Sequence, residues 1–327
     1  MDDHIRNNLR KLLGHLSAGS TEAEQWQDWH IEPVSGGGNN LLFRATSELG
    51  DFAVKFTIRD ARDRAGREYA ALLALQQAHL QIAPRPILLD QDSYEQPVVV
   101  QGWLPGEMVQ KPPCTDQEWS DWLRYLATVH ELRPEHTEVN LQNCLNNANG
   151  SEGYSKEVAI LRQTAKEEGL PAQIVELTEK LTRLPLNRWQ PVLPRLCRAD
   201  HNIRNFIRHG GSLKSVDWEY SGWGDPVEDV AEMMSHATYM DVPGTRWESV
   251  IDEYANMSKI KNVKERVRIC LAIKIVGWAV RIARSLTPTK VDRARLDVSP
   301  KGEWRTDTRE KYDYYLERAR SEILLSV

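Results

Sequence analysis

Apolar positions at the start of the chain repeat with the period of a helix and then change to the period of a strand. Ile5, Leu9, Leu12, Leu13 and Leu16 fall on one helical face and Gly19 closes the segment, so the spacing predicts an amphipathic helix over Asp3–Leu16. Short β-type runs follow between Trp29 and Val109: Ile31–Val34, Leu41–Thr46 and Phe52–Thr57, broken by turn residues. A helix is predicted over Asp60–His79, with Tyr69, Leu72, Leu73 and Leu75 on its apolar side. Pro84, Pro86 and Pro97 then punctuate the return to a strand at Val98–Gln101. From Trp119 onward almost everything periodic is helical, with helices expected over Glu228–His236, Glu248–Met257, Arg266–Leu286 and Thr308–Leu325, and a loop or flexible excursion over Thr287–Arg305. The exception is Val192–Val216, where Asn205–Ile207 and Leu213–Val216 flank the turn His209–Ser212 and predict a hairpin inside a helical half. The sum is an α+β chain: a small sheet-rich N-terminal unit joined near Trp103-Leu104-Pro105-Gly106 to a larger helical one.

A length of 327 residues leaves room for two such units. With 42 Lys+Arg against 47 Asp+Glu the net charge is −5, which excludes the basic footprint of a nucleic-acid binder. The apolar stretch Leu271–Val280 is interrupted by Lys274 and followed by Arg281, and falls short of the ~20 residues of a membrane span. The opening Met1-Asp2-Asp3-His4 carries acid where an export signal carries base. Cys114, Cys144, Cys197 and Cys270 lie far apart without a C-x-x-C pair, as expected of reduced thiols in a cytoplasm.

Two constellations carry candidate chemistry. In the first, the glycines of Ser35-Gly36-Gly37-Gly38-Asn39-Asn40 let the backbone approach a polyanion, although a plain hairpin turn uses the same residues. Lys55, in the apolar strand Phe52–Phe56, needs an anionic partner if it is buried and none if it faces water from an edge strand. Glu68 lies beside the apolar face of the next helix, where it either reaches Lys55 or is solvated. In the second, Asp200 and Asn205 form D-x-x-x-x-N running into a strand, and Asp217 follows the next strand. A carboxylate to take a hydroxyl proton, together with oxygen ligands for magnesium, is what phosphoryl transfer asks of a protein. Turn and cap roles account for Asp200 and Asn205 equally well.

In this order the motifs resemble the aminoglycoside phosphotransferase and choline kinase group, whose fold is similar to that of protein kinases. Ser35–Asn40 resembles its phosphate loop, Ala53-Val54-Lys55 its strand lysine, and Arg67-Glu68 the helix partner. Val98–Glu107 resembles the hinge ending in L-P-G-E, and Ala127–Leu132 the L-A-x-L-H-x-L helix. Asp217–Pro226 resembles the signature D-W-E-x-x-G-x-G-D-P, the most specific of these. The resemblance runs from about Ile31 to the helices beyond Ser235. It implies a protein-kinase-like bilobal fold, with an N-lobe over residues 1–103 and a helical C-lobe over residues 104–327.

It further implies an ATP-dependent small-molecule kinase that transfers the γ-phosphoryl group to a hydroxyl of an amine-bearing acceptor. Adenine would lie against Gln101, Gly102, Trp103 and Leu104, with phosphates under Ser35, Gly36, Gly37, Gly38, Asn39 and Asn40. Lys55, held by Glu68, would contact phosphate; Asn205 and Asp217 would hold Mg2+; and Asp200 would be the catalytic base. One departure stands out: the group writes H-G-D where this chain has Arg198-Ala199-Asp200. Arg198 is expected to pair with Asp217 or another nearby acid, against competition with magnesium.

The acceptor has to be read from the helical half. Asp217, Glu219, Asp225, Glu228, Asp229 and Glu232 fall in one stretch without a Lys or Arg. Setting them aside leaves 41 acids against 42 bases, so the net charge traces to this stretch. It is expected to attract cations, although the family reading gives Asp225 and Asp229 to support of the catalytic loop, and a solvated helix face accounts for Glu228 and Glu232. Trp218, Tyr220, Trp223, Tyr239 and Trp278 offer the alternative of a quaternary-ammonium cage for a choline or ethanolamine acceptor, or else are core. Acceptor specificity is expected in Asn140–Leu186. An alternative of another class is a nucleotide-binding regulator without turnover.

Overall fold

Helix α1 (Asp3–Ser17) forms where the leucine stripe predicts it and buries Leu9, Leu12, Leu13 and Leu16. The computed structural model of the protein describes residues 3–19, 22–34, 40–258, 260–286 and 303–326. The buried leucines pack on Trp29, Ile31, Phe43, Phe52, Val54 and Val98 of a sheet. At about 2 kcal/mol for each fully buried leucine side chain, the stripe is enough to fix α1 there.

That sheet has the order β1-β2-β3-β4-β6-β5, built from β1 (Glu24–Trp26), β2 (Trp29–Pro33), β3 (Leu41–Ser47), β4 (Gly50–Phe56), β5 (Pro86–Asp90) and β6 (Val98–Gly102). All of its pairings are antiparallel. Gly50, at φ 139°, closes the β3–β4 hairpin in a conformation that few other residues adopt. Strands β1 and β5 go beyond the sequence expectation: the first has three residues, and the second begins on a proline that reads as punctuation. Helix α2 (Arg64–Gln77) is capped by Asp63 and turns Glu68, Ala71, Leu72 and Leu75 inward.

The chain separates into two compact units. The first comprises Met1–Met108, Glu135–Gln142 and Asn205–Gly222, and the second Val109–Pro134, Asn143–Arg204 and Trp223–Val327. A second sheet of the first unit joins β7 (Glu107–Met108) to a hairpin. The second unit supplies α3 (Asp116–Val129), α4 (Gly150–Glu167), α5 (Ala172–Lys180) and β8 (Arg195–Cys197). The hairpin that pairs with β7 is β9 (Phe206–His209) and β10 (Ser212–Ser215), turning at Gly210 and Gly211 as expected.

After β11 (Gly222–Gly224) come α6 (Pro226–Ser235), α7 (Gly244–Ser258), α8 (Val263–Leu286) and α9 (Glu303–Ser326). Helix α8 buries residues on every side, among them Cys270, Ile273, Lys274 and Val276, because α4, α5, α6, α7 and α9 all pack against it. The architecture is α+β, sheet-bearing toward the N-terminus and helical toward the C-terminus. Most of the excursion expected at Thr287–Arg305 lies outside the described residues. The cysteines are thiols, three of them buried and Cys114 exposed. No helix among the described residues is long and apolar enough to cross a membrane.

Candidate functional site

The first cluster belongs to the first unit. Strand β4 is interior to its sheet, so Lys55 is flanked by Leu42 on one side and Val99 on the other and is 5% exposed. This overturns the reading of a water-facing edge lysine. Its Nζ lies 2.8 Å from Glu68 Oε2, 2.5 Å from Asp217 Oδ1 and 3.2 Å from Glu219 Oε2. Glu68 is fully buried, which overturns its reading as a solvated glutamate. Burial alone would discharge Lys55, but Asp217, Glu68 and Glu219 outweigh it and hold the ammonium well above its ordinary pKa. Glu68 is raised, by burial first and by its acidic neighbours, despite Lys55.

Arg64 is the second cation of this cluster. Its Nη1 donates to Glu219 Oε1 from a position 2% exposed. Asn40, the described end of the glycine loop, donates its side-chain amide to Glu219 Oε2 at 2.8 Å; Ser35, Gly36, Gly37, Gly38 and Asn39 lie outside the described residues. The β9–β10 hairpin is closed by Val216 N donating to Asn205 O at 2.9 Å, which brings Asn205 close to Asp217 along the backbone. Asp217 itself has φ 64°, a left-handed conformation that aspartate tolerates, and its side chain is 31% exposed. Its carboxylate is thus the open edge of an otherwise dry cluster. At the hinge, Gln101 is buried within β6, while the N–H groups of Gly102 and Trp103 donate to Arg85 O and Asp51 O. Leu104 lies beyond the strand's end.

The second cluster belongs to the second unit and carries Asp200. The backbone N–H groups of Arg198 and Ala199 donate to the Asp229 carboxylate of α6 at 2.7 and 3.0 Å. His130 Nε2 lies 3.2 Å from the same carboxylate. Burial would raise Asp229, but the hydrogen bond from His130 and the nearby His201, at 3.7 Å, hold it far below the usual carboxylate range. Arg198, 1% exposed and expected to seek an acid, donates Nε and Nη2 to the carbonyl oxygen of Asp200 at 3.3 and 3.2 Å. Asn202 N donates to Asp200 Oδ1 at 2.9 Å. Ala199 has φ 57°, a conformation natural to the glycine that the family motif carries at this position.

The acidic stretch is not an open field, nor are Glu228 and Glu232 a solvated face. Glu228 is 2% exposed and 2.7 Å from Lys274 Nζ, and Glu232 stands 3.9 Å from the same atom. Asp225 caps α6, accepts from Tyr154 Oη at 3.1 Å and pairs with Arg266. Each of the six acids therefore meets a basic side chain of the protein. Lys274 also donates to Asn146 O at 2.9 Å. It lines a cavity of about 690 Å³ with Glu157, Leu161, Glu232, Trp278 and Arg281. Burial lowers the affinity of Lys274 for its proton, but Glu228, Glu157 and Glu232 outweigh it. Burial, with Glu228, pushes Glu157 up to about 7 against the pull of Lys274.

Of the aromatic residues weighed as a cage, Trp218 and Tyr239 are fully buried core, and Tyr220 lies beside Arg62 and Arg64. Only Trp278 lines this cavity, stacked on Tyr315 with ring centroids 5.6 Å apart. Arg64, Glu157 and Lys274 escaped the sequence reading because charge on a helix looks solvated until its tertiary partner is known.

A family model described as the phosphotransferase enzyme family matches residues 30–269. No curated protein matches the sequence. Among solved structures, a choline/ethanolamine kinase family protein from Mesorhizobium loti is 17% identical, with 98% of this chain and 95% of that chain covered and a TM-score of 0.63. Spectinomycin phosphotransferase, solved with ADP and spectinomycin, is 15% identical, with 96% and 98% covered and a TM-score of 0.59. A choline kinase from Streptococcus pneumoniae is 14% identical, with 97% and 99% covered and a TM-score of 0.57. At these identities the likeness is one of fold, and it is the kinase-type α+β fold that the motifs led us to expect.

Proposed function

The chain belongs to the phosphotransferase enzyme family, and from that premise we propose that it transfers the γ-phosphoryl group of ATP to a hydroxyl of an amine-bearing small molecule. The observation that carries this reading is the buried ammonium of Lys55, anchored by Glu68 and turned onto Asp217. A dry, permanently charged lysine beside an accessible carboxylate is suited to polyphosphate, and ADP in the structure of spectinomycin phosphotransferase supports a nucleotide.

In this reading Lys55 draws phosphate oxygens while Glu68 keeps its ammonium from turning away. Asn40 ends the segment Ser35–Asn40 that the family reading assigns to phosphate. Of the hinge positions Gln101, Gly102, Trp103 and Leu104, the last is the best placed for adenine, since the N–H groups of Gly102 and Trp103 are engaged internally. Glu68, Asp217 and Glu219 bring carboxylate oxygens within 4.8 Å of one another, a hard oxygen set that fits magnesium; Asn205 and Asp217 would hold it, with Asp217 exchanging Lys55 for the metal. Bound there, magnesium supplies charge neutralisation for the phosphates. Asp200, its Oδ1 held by Asn202 N–H, orients the acceptor hydroxyl and takes its proton. Catalysis is then mainly positioning and electrostatics.

We place the acceptor's amine in the 690 Å³ cavity, between Glu157 and Glu232 and against Trp278. Its volume and single aromatic wall suit a multi-amine acceptor better than a small quaternary ammonium. A cytoplasmic location fits cysteines that stand as thiols. The test is a coupled ATP-consumption screen over aminoglycosides, choline, ethanolamine, thiamine and other amino alcohols. Turnover with an amine-bearing alcohol that vanishes in Asp200→Ala is expected. Thermal stabilisation by magnesium and ATP without consumption of ATP on any acceptor would instead indicate the non-catalytic regulator.

A further inference from the structure

We infer that His236, which lies outside every motif around the catalytic loop, is a positioning residue for Asp200: its Nε2–H faces the Asp200 carboxylate and keeps it ready to receive a hydroxyl proton. The inference rests on the reading of Asp200 as the base.

The geometry begins at the end of α6. His236 follows its last residue and caps the short 3-10 turn Ala237–Tyr239. Thr238 N donates to His236 Nδ1 at 3.2 Å, and Thr238 Oγ1 lies 2.8 Å from the same nitrogen. Since Nδ1 accepts from the Thr238 N–H it carries no proton, so the hydroxyl, which itself accepts from Ile203 N at 3.3 Å, donates to it. Two donors on Nδ1 select the neutral tautomer with the proton on Nε2. Nε2 stands 3.9 Å from Asp200 Oδ1, from a side chain only 12% exposed. At this distance the N–H acts on the carboxylate as a dipole rather than through a hydrogen bond. Because Thr238 also binds Ile203, three residues after Asp200, the imidazole is tied to the same loop it faces. Trp278 holds the ring edge-on, with centroids 5.6 Å apart.

The imidazole stays neutral across the working range. Burial, and then the basic neighbours His201, Arg281 and Lys311, bring its pKa down to about 3. Other charged groups also act on this carboxylate. Glu232 opposes its ionisation, Tyr239 feels it, and Arg198 holds its carbonyl. The His236 dipole offsets Glu232 without adding a net charge.

The experiment uses full-length protein labelled with carbon-13 at the aspartate carboxyl groups, the Asp200 signal being assigned by its loss in Asp200→Asn. In His236→Leu, Asp200 is expected to titrate at a pH higher by about 0.5 or more. Basal hydrolysis of magnesium-ATP, with water as the acceptor, is expected to fall about tenfold with its acid limb displaced the same way. His236→Gln, whose amide N–H reproduces Nε2–H, should restore both. Thr238→Val, which removes the hydroxyl donor but spares the ring packing, should move Asp200 in the same direction and serves where His236→Leu folds poorly. An unchanged Asp200 titration in His236→Leu or Thr238→Val, or a Gln variant no better than Leu, overturns the inference. Full hydrolysis in Asp200→Asn would overturn the base assignment instead, a result that the NMR titration does not depend on.

Discussion

Lys55 and Lys274 are both buried ammonium groups ringed by three carboxylates, yet the two rings are balanced differently. Around Lys55 a second cation, Arg64, joins Glu68, Asp217 and Glu219, and one carboxylate, Asp217, reaches solvent. Around Lys274 no second lysine or arginine is ion-paired with Glu157, Glu228 or Glu232 among the described residues, and His201 acts on Glu232 alone. There the excess negative charge is relieved by a proton, with Glu157 raised to about 7. The first ring is compensated internally and presents one carboxylate, as a metal ligand requires. The second is under-compensated beside a cavity, as the binding of an external ammonium requires.

The largest effect that would sharpen this contrast is removal of each lysine. Lys55→Met should lower phosphoryl transfer by about 10³-fold or more, whereas Lys274→Met should act first on the fold. Stranding Glu228 costs about 3–5 kcal/mol, and the double variant Lys274→Met with Glu228→Gln should recover much of that loss. Chemical denaturation beside an ATP-consumption assay reads both. If Lys274→Met unfolds no more easily than the parent, the Lys274–Glu228 contact is not the structural ion pair described here.

Next in size is the proton on Glu157. Between the ordinary carboxylate pKa and about 7 the folded state binds more protons here than the unfolded chain. Stability therefore falls as pH rises through that window and levels off above it. Glu157→Gln should flatten this slope and stabilise the protein at pH 8 by on the order of 1 kcal/mol, while weakening acceptor binding. Denaturant melts at pH 5, 6, 7 and 8 measure it, and an unchanged slope would remove Glu157 from the comparison.

The smallest effect tests the loop that holds Asp200. Ala199 has a left-handed backbone, φ 57°, in which a side chain costs roughly 1 kcal/mol. Ala199→Gly should stabilise by about 0.5 kcal/mol once the added freedom of the unfolded chain is subtracted. Loss of stability on that change would mean that the methyl group makes packing contacts worth more than the strain.

Much of the fold was legible because its signals are local. The stripe Leu9, Leu12, Leu13 and Leu16, the β-type run around Val54 and the glycine turn at Gly210 and Gly211 each carry their own periodicity or backbone preference. The candidate site was legible where a charged residue interrupts such a pattern, as Lys55 does in its strand. It was illegible where charge lies on a helix. Glu228 and Glu232 read as a solvated face because their partner, Lys274, comes from another helix and is itself buried inside an apolar run. His236 carried no signal at all, since its role depends on Thr238 fixing its tautomer.

The sequence by itself determined most of the helices and strands, though not β1 or β5, and which residues stand at the phosphate, metal and base positions of the motifs, because those follow from neighbours along the chain. Which charges remain open to a ligand was decided only by the tertiary structure. Arg64 and Glu219 are 155 positions apart and Arg266 and Asp225 are 41 apart, and electrostatic energy depends on distance through space rather than along the chain. The acid-rich stretch 217–232, which as sequence is a uniform attraction for cations, is in the folded protein a set of acids each met by a basic side chain, with Asp217 partly exposed and Glu232 lining a cavity.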